Sequence, residues 1–383
     1  MKKSKLSEEQ MNEKQLRAKP SRKWRTRNMI LSGLLLFISL LIAGLTGEVI
    51  LTLLGHHGAP HSLLGNIHFV EDPILNWRYI PHSEFKMGTV VNTYNGAGFR
   101  DVEHATEKLP GIMRIVVVGD SVTEGYGVEW KSVFSSVLQS QLGNQFEVIN
   151  LAMGGLNTPQ EIHLLEVEGL RYTPDLVVLN FVLNDCDFYT EFRAAQRFAA
   201  EKDSTIGILN MPINPGLKRL LKSSALIYFV KERLENLVGR LSSKEESNYF
   251  VSLWEKTENR QKIIEGFIKL QVLQHEKSFQ VLVIIWPLLT DFRHYNFESI
   301  HQWVRKEAET RGFSTIDLLE SFSKFSYGDL QVTAEDSIHP NELGHKMAVD
   351  AFLAWHRARA QSRDTVMNCV QCSHSNPAGV PRL

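Results

Sequence analysis

The chain has 383 residues, 43% hydrophobic and 22% charged, a globular composition that excludes a mainly disordered protein. Forty-two Lys and Arg against 43 Asp and Glu leave a net charge of −1, which argues against a general nucleic-acid binder. Three cysteines exclude a scaffold built on disulfides.

The charge is unevenly spread. Residues 1–27 hold ten Lys/Arg and three acids, a local charge of +7, so the remaining 356 residues sum to −8. This basic arm runs into Asn28–Gly47, twenty residues without a charge, and apolar character resumes after Glu48 as far as Leu54. Twenty helical residues at about 1.5 Å rise match a hydrocarbon core of about 30 Å. Arg22, Lys23, Arg25 and Arg27 flank the start, whereas the next Lys or Arg is Arg78. The positive-inside bias then predicts a cytoplasmic N-terminus and an exported remainder. A cleaved signal peptide has a shorter apolar core and a small-residue cleavage site. Neither fits, so the expectation is an uncleaved, single-pass anchor.

Residues 76–101 mix β-formers with turn residues and read as short strands and turns. An alternation of strands and helices follows. Met113–Gly119 is a continuous apolar run that suits a strand buried on both faces. Glu129–Leu142 reads as a helix and Phe146–Leu151 as the second strand. Thr158, Pro159 and Glu161 form a helix start with Thr158 as the cap. Leu176–Leu183 and Phe279–Ile285 are the third and fourth strands. Asn296–Arg311 is a helix capped by Asn296, Ser314–Leu318 the fifth strand, and Asn341–His356 the last helix. Residues 186–275 are a long insertion with helical patterning, notably Leu217–Leu241, and read as extra packing, with a cover over the site as the alternative. The expected fold class is α/β: a five-stranded parallel sheet flanked by helices in a flavodoxin-like three-layer α/β/α arrangement, preceded by one transmembrane helix.

In such sheets the site lies beyond the carboxyl ends of the strands. After the first strand come Gly119, Asp120 and Ser121; after the second, Gly154 and Gly155; after the third, Asn184 and Asp185. A serine at a strand-to-helix turn exposes its hydroxyl. A glycine N–H and an Asn amide at neighbouring strand ends are donors suited to a developing oxyanion. Serine also needs an imidazole base, and the imidazole an acid to fix its tautomer. Asp-x-x-His supplies both, and occurs three times. Asp101/His104 precedes the first strand and reads as structural. Asp291/His294 follows the fourth strand and competes with Asp336/His339, which precedes the last helix.

Ser121 in GDSVTEG, Gly155 in NLAMGG, Asn184 in VLND and Asp336/His339 in DSIHP stand in one order across residues 111–358. In this the sequence resembles the SGNH/GDSL hydrolase family of serine esterases and lipases, and residues 76–101 resemble the lead-in of membrane-anchored bacterial members. The resemblance implies Ser121 as nucleophile, His339 as base and Asp336 as its orienting acid. It also implies an oxyanion hole from the Ser121 and Gly155 N–H groups and the Asn184 amide. No cofactor or metal is implied. One departure is Val182, where the family usually has glycine; a bulkier residue there narrows the acyl pocket.

The chain then divides into a basic cytoplasmic tail (1–27), a transmembrane anchor (28–54), a linker and β-rich lead-in (55–110), the hydrolase domain (111–358) with its helical insertion (186–275), and a polar tail (359–383). The expected activity is carboxylic ester hydrolysis outside the cytoplasm, at a bacterial inner membrane, on an acylated small molecule, glycan or lipid. O-acyl transfer by the same serine and a catalytically inactive envelope-binding module are the alternatives. Cys369-x-x-Cys372 with His374 lies in the polar tail without an evident fourth ligand and reads as disordered. Cys186 reads as packing and His345 as a helix-surface residue.

Overall fold

The computed structural model describes residues 22–54, 67–69, 74–75, 77–87, 90–188, 249–334 and 336–374, with short pieces at 205–206, 211–212, 224–227, 229–230 and 233. The chain forms two compact units, one of residues 1–59 and 216–232, the other of residues 60–215 and 233–383. In the first, helix α1 (Arg22–Leu53) contains a 28-residue stretch, Thr26–Leu53, within which an 18-residue window has mean hydropathy 2.4 and is wholly unburied. That length and composition suffice to cross a membrane.

The second unit opens with two antiparallel pairs, β1 (Ile67–Phe69) with β2 (Trp77–Tyr79) and β3 (Glu84–Met87) with β4 (Val90–Thr93). The strands and turns expected over 76–101 are therefore present. The main sheet follows: β5 (Met113–Val118), β6 (Phe146–Asn150), β7 (Leu176–Val182), β10 (Gln280–Trp286) and β11 (Ser314–Asp317), in the order β11-β10-β7-β5-β6 and parallel throughout. The two-residue strands β8 (Thr205–Ile206) and β9 (Met211–Pro212) pair separately in the insertion.

The apolar runs alternate between two cores. Val116, Val118, Val177, Leu179, Phe181, Val283 and Ile285 face one, with Leu164 of α4 (Thr158–Val167), Phe267 of α5 (Thr257–Lys277) and Val304 of α6 (Glu298–Glu309). Ile115, Val117, Val178, Leu282 and Ile284 face the other. There they meet Phe134 of α3 (Phe134–Leu142), Phe322 of α7 (Leu319–Phe322) and Phe352 of α8 (Glu342–His374). Helices on both faces explain why the strands are apolar without polar alternation.

Local chemistry shifts four expected boundaries. Val133 is extended (φ −70°, ψ 146°), so Glu129–Leu142 becomes a 3-10 turn, Trp130–Ser132, followed by α3. The cap of α4 is Asn157, not Thr158: its side chain accepts from Gln160 N, and the Gln160 side chain accepts from Asn157 N. Helix α6 starts at Glu298 without a side-chain cap, so Asn296 does not serve. Helix α8 runs on to His374, taking the Cys369–Cys372 stretch into helix where a disordered tail was expected; those side chains lie outside the described residues. Most of Leu217–Leu241 also lies outside them.

Candidate active site

Strand β5 lies between β6 and β7, so the groups following these three strands share one edge at the switch point of the sheet. After β5 the chain turns at Gly119, where a Cβ would come within 2.0 Å of Thr123 Oγ1, and enters the one-turn helix α2 (Ser121–Glu124). Asp120 caps this turn, its Oδ1 accepting from Val122 N at 2.9 Å. Its Oδ2 accepts from the Asn184 amide at 2.9 Å, a bond that joins the ends of β5 and β7. Burial pushes the Asp120 carboxyl up, and the bonds from Asn184 and Val122 offset only part of that. The Asn184 amide nitrogen has a second N–H to offer. At the β6 end Gly155 adopts φ +81°, a conformation suited to glycine. The Gly154 N–H donates to Glu124 at 2.7 Å, whereas the Gly155 N–H meets no acceptor among the described residues.

His339 arrives on the loop before α8. Its Nε2 is 2.8 Å from Ser121 Oγ, and its Nδ1 is 2.9 Å from Asp336 Oδ2. Asp336 also accepts the backbone N–H groups of Ile338 and His339, so one carboxylate shapes the turn and orients the ring. Burial pushes the Asp336 carboxyl up, but the bond and attraction from His339 outweigh it, and its pKa falls below the usual value. The loop is pinned further by Leu289 N to Ser337 O at 2.7 Å and Val332 N to His339 O at 3.1 Å. The other two Asp-x-x-His pairs lie elsewhere. His294 bonds to Asp291 at 3.0 Å with its side chain 82% exposed. His104 is buried between Asp101 and Glu147.

The model of the GDSL-like lipase/acylhydrolase family matches residues 117–347, more than half of the sequence. The chain belongs to that family. Among solved structures, this acylhydrolase is similar to the acetyl xylan esterase AlAXEase (15% identity, 63% of this chain and 98% of that one, TM-score 0.39). It is also similar to TesA (14%, 63% and 97%, 0.39) and to a lipase/acylhydrolase from Enterococcus faecalis (17%, 65% and 97%, 0.37). A search of curated proteins gave no significant match.

Around the acylhydrolase site are residues that the sequence motifs did not point to. Glu124, buried, accepts from the hydroxyls of Tyr94 and Tyr79 as well as from Gly154 N. Burial pushes its carboxyl up despite the bond from Tyr94 and the attraction of Arg100. Arg100, 1% exposed, clamps the carbonyls of Glu124, Gly125 and Val128. The lead-in strands and the turn after them thus brace both the Ser121 turn and the Gly154–Gly155 turn. Tyr126 stacks on His339, with ring centroids 4.2 Å apart and planes at 28°. Only the closeness of Tyr126 to the GDS turn hinted at it; Tyr79, Tyr94 and Arg100 carry no local signal.

Three expectations change or gain detail. His345 is fully buried rather than on the helix surface: its Nδ1 accepts from Phe134 N at 3.2 Å, and burial pushes the imidazole down to about 3. Val182 packs in the core with Val122, Trp286 and Leu289. Cys186 is buried and donates its thiol to Leu183 O; burial, then the charges of Asp185 and Asp187, push that thiol up. Behind Asn184 lie two more buried acids. Asp185 accepts from the Thr158 hydroxyl at 3.1 Å, and both Glu161 oxygens lack partners among the described residues. Burial pushes both carboxyls well up, and repulsion adds to it, from Asp185 and then Asp120 on Glu161 and from Asp120 on Asp185.

Proposed function

We propose that the chain is a membrane-anchored serine ester hydrolase that removes an O-acyl group from an envelope glycan or lipid through an acyl-serine intermediate. The observation that carries this reading is the relay from Asp336 through His339 to Ser121, with contacts of 2.9 and 2.8 Å. A carboxylate only accepts, so the Nδ1 facing Asp336 bears the proton and Nε2 is free to take one. His339 removes the Ser121 proton as Oγ attacks the ester carbonyl. The tetrahedral oxyanion accepts from the Ser121 and Gly155 N–H groups and from the second N–H of Asn184. The collapsing intermediate expels the alkoxide, which takes the proton from His339. Water, deprotonated by His339, then attacks the acyl carbonyl, and Ser121 Oγ leaves with the proton from His339 as the acid is freed.

The apolar stretch of α1 and the basic residues before it support a single-pass topology: 1–27 in the cytoplasm, 28–54 in the membrane, and the hydrolase domain, 111–358, outside. A site held beside a membrane on the outer side meets acylated lipids and glycans. Membranes carrying Ser121→Ala should turn over p-nitrophenyl acetate at least about 10³-fold more slowly than wild type. A fluorophosphonate should label the wild type and leave the variant unlabelled. Undiminished turnover in a folded variant would refute the mechanism. Release of free acid in the presence of a glycan acceptor distinguishes hydrolysis from acyl transfer.

A further inference from the structure

Glu48 is the acid that ends the uncharged stretch of α1, 21 residues beyond Arg27 in sequence. At about 1.5 Å per residue it sits near the far boundary of a bilayer about 30 Å thick. A lone carboxylate there is costly unless it finds partners. It has three, all from the long insertion between β7 and β10. Oε2 accepts from the Ser224 hydroxyl at 2.7 Å and from Leu226 N at 3.0 Å, and Oε1 accepts from Ala225 N at 2.8 Å. Next to it Gly47 leaves room for Leu226: a Cβ on Gly47 would lie 3.4 Å from Leu226 Cδ1. Ala225 is buried by the contact. This piece of the insertion packs on the anchor, whereas α5 at its end supplies the extra packing expected of the insertion.

The remaining surface of this junction is apolar. Leu45, Val49, Ile227 and Val230 are each between 43% and 65% exposed. The surrounding sequence, residues 217–233, carries five Lys/Arg and one Glu among Leu, Ile, Phe and Val. Exposed apolar side chains with basic residues interleaved in the sequence, beside the end of a spanning helix, suit the headgroup level of a bilayer containing anionic lipid. We infer that the insertion at residues 224–227 and 229–230 makes a second contact with the membrane, tied to the outer end of α1 by Glu48 and seated on anionic phospholipid. This rests on the anchor reading above. It means that the insertion, as well as α1, holds the chain to the membrane.

The test uses the full chain in phosphatidylethanolamine–phosphatidylglycerol vesicles, in a background of Cys369→Ser and Cys372→Ser. Gly47→Cys with Leu226→Cys should cross-link within one chain under a short thiol-bridging reagent. Adding Glu48→Leu should lower the yield about tenfold, as expected for losing hydrogen bonds to a charged group. Separately, Val230→Cys carrying an environment-sensitive fluorophore should be quenched by spin-labelled phospholipid. Pure phosphatidylcholine vesicles should weaken that quenching severalfold. An alkaline wash of the same vesicles reports on the anchor itself. Release of the chain by the wash overturns the anchor reading and this inference with it. Retention without the cross-link leaves the anchor standing and overturns the docking. A Val230→Cys label reached by water-soluble iodide but not by lipid quencher, or cross-linked between two chains, overturns the lipid contact.

Discussion

The His339 imidazole lies between an acceptor-only carboxylate and a hydroxyl, and that arrangement gives it a base's tautomer. His294 has the same Asp-x-x-His spacing and the same strand-end location but bonds only outward to Asp291. Replacing His339 with Ala should lower kcat/KM by about 10³–10⁴-fold, the range for losing a general base. Replacing His294 should change it less than about twofold, as expected for an exposed residue outside the relay. Ester hydrolysis by the two variants, measured side by side, decides between the dyads; equal losses would contradict the assignment. Ser121, Gly155, Asn184 and the Asp336/His339 pair were legible because each stands in a short motif, the first three at strand ends. Their supports were not. Glu124 accepts hydrogen bonds from Tyr79, Tyr94 and Gly154, which are 30–45 residues away in sequence and share no spacing with it. His345 was misread because it belongs to an amphipathic helix whose buried face also takes a neutral imidazole.

The strands were the most readable elements, since continuous apolar runs ending at Gly or Asn leave few alternatives for the chain. Helix starts were less so. Asn157 and Thr158 are adjacent good caps, and only the reciprocal bond with Gln160 selects Asn157. That cap follows the Gly154–Gly155 turn directly, so α4 fixes one wall of the site. Arg100 performs the same service for α2, holding three carbonyls at and just beyond its end. Arg100→Met would leave those carbonyls buried and Glu124 without its nearby cation. The expected cost is about 3 kcal/mol of stability, as for breaking a buried charged pair. A urea titration reads it as a lower midpoint with unchanged slope. Because Ser121 begins the clamped turn, kcat should fall with KM nearly constant. A midpoint within the error of wild type would mean that the clamp is dispensable.

At the scale of the whole molecule, titration depends on which acids the fold prefers neutral and which it prefers charged. Asp336, Asp317 and Glu147 are buried in part, yet bonds to His339, His301, His104 and Arg114 carry their carboxyls below the usual range. They stabilise the fold above ordinary carboxylate pKa values, a contribution lost as pH falls through their lowered ones. Glu161 and Asp185 behave oppositely. The folded state keeps their protons to higher pH than the unfolded chain does, so their contribution is complete below about pH 4 and fades as pH rises. His104 adds to the same fall: burial lowers its pKa, but bonds to Asp101 and Glu147 outweigh that and raise it, so its stabilisation is lost as pH climbs through the raised value. Stability should therefore peak in weakly acidic solution and decline toward alkaline pH. Glu161→Gln removes one of the protons responsible. Denaturant midpoints at acidic, neutral and alkaline pH should show a shallower decline in the variant, by up to about 1.4 kcal/mol per pH unit while Glu161 holds its proton in the folded state alone. The variant should also be the more stable protein at the alkaline end. A decline as steep as that of wild type would show that Glu161 ionises in the folded protein as readily as in the unfolded chain.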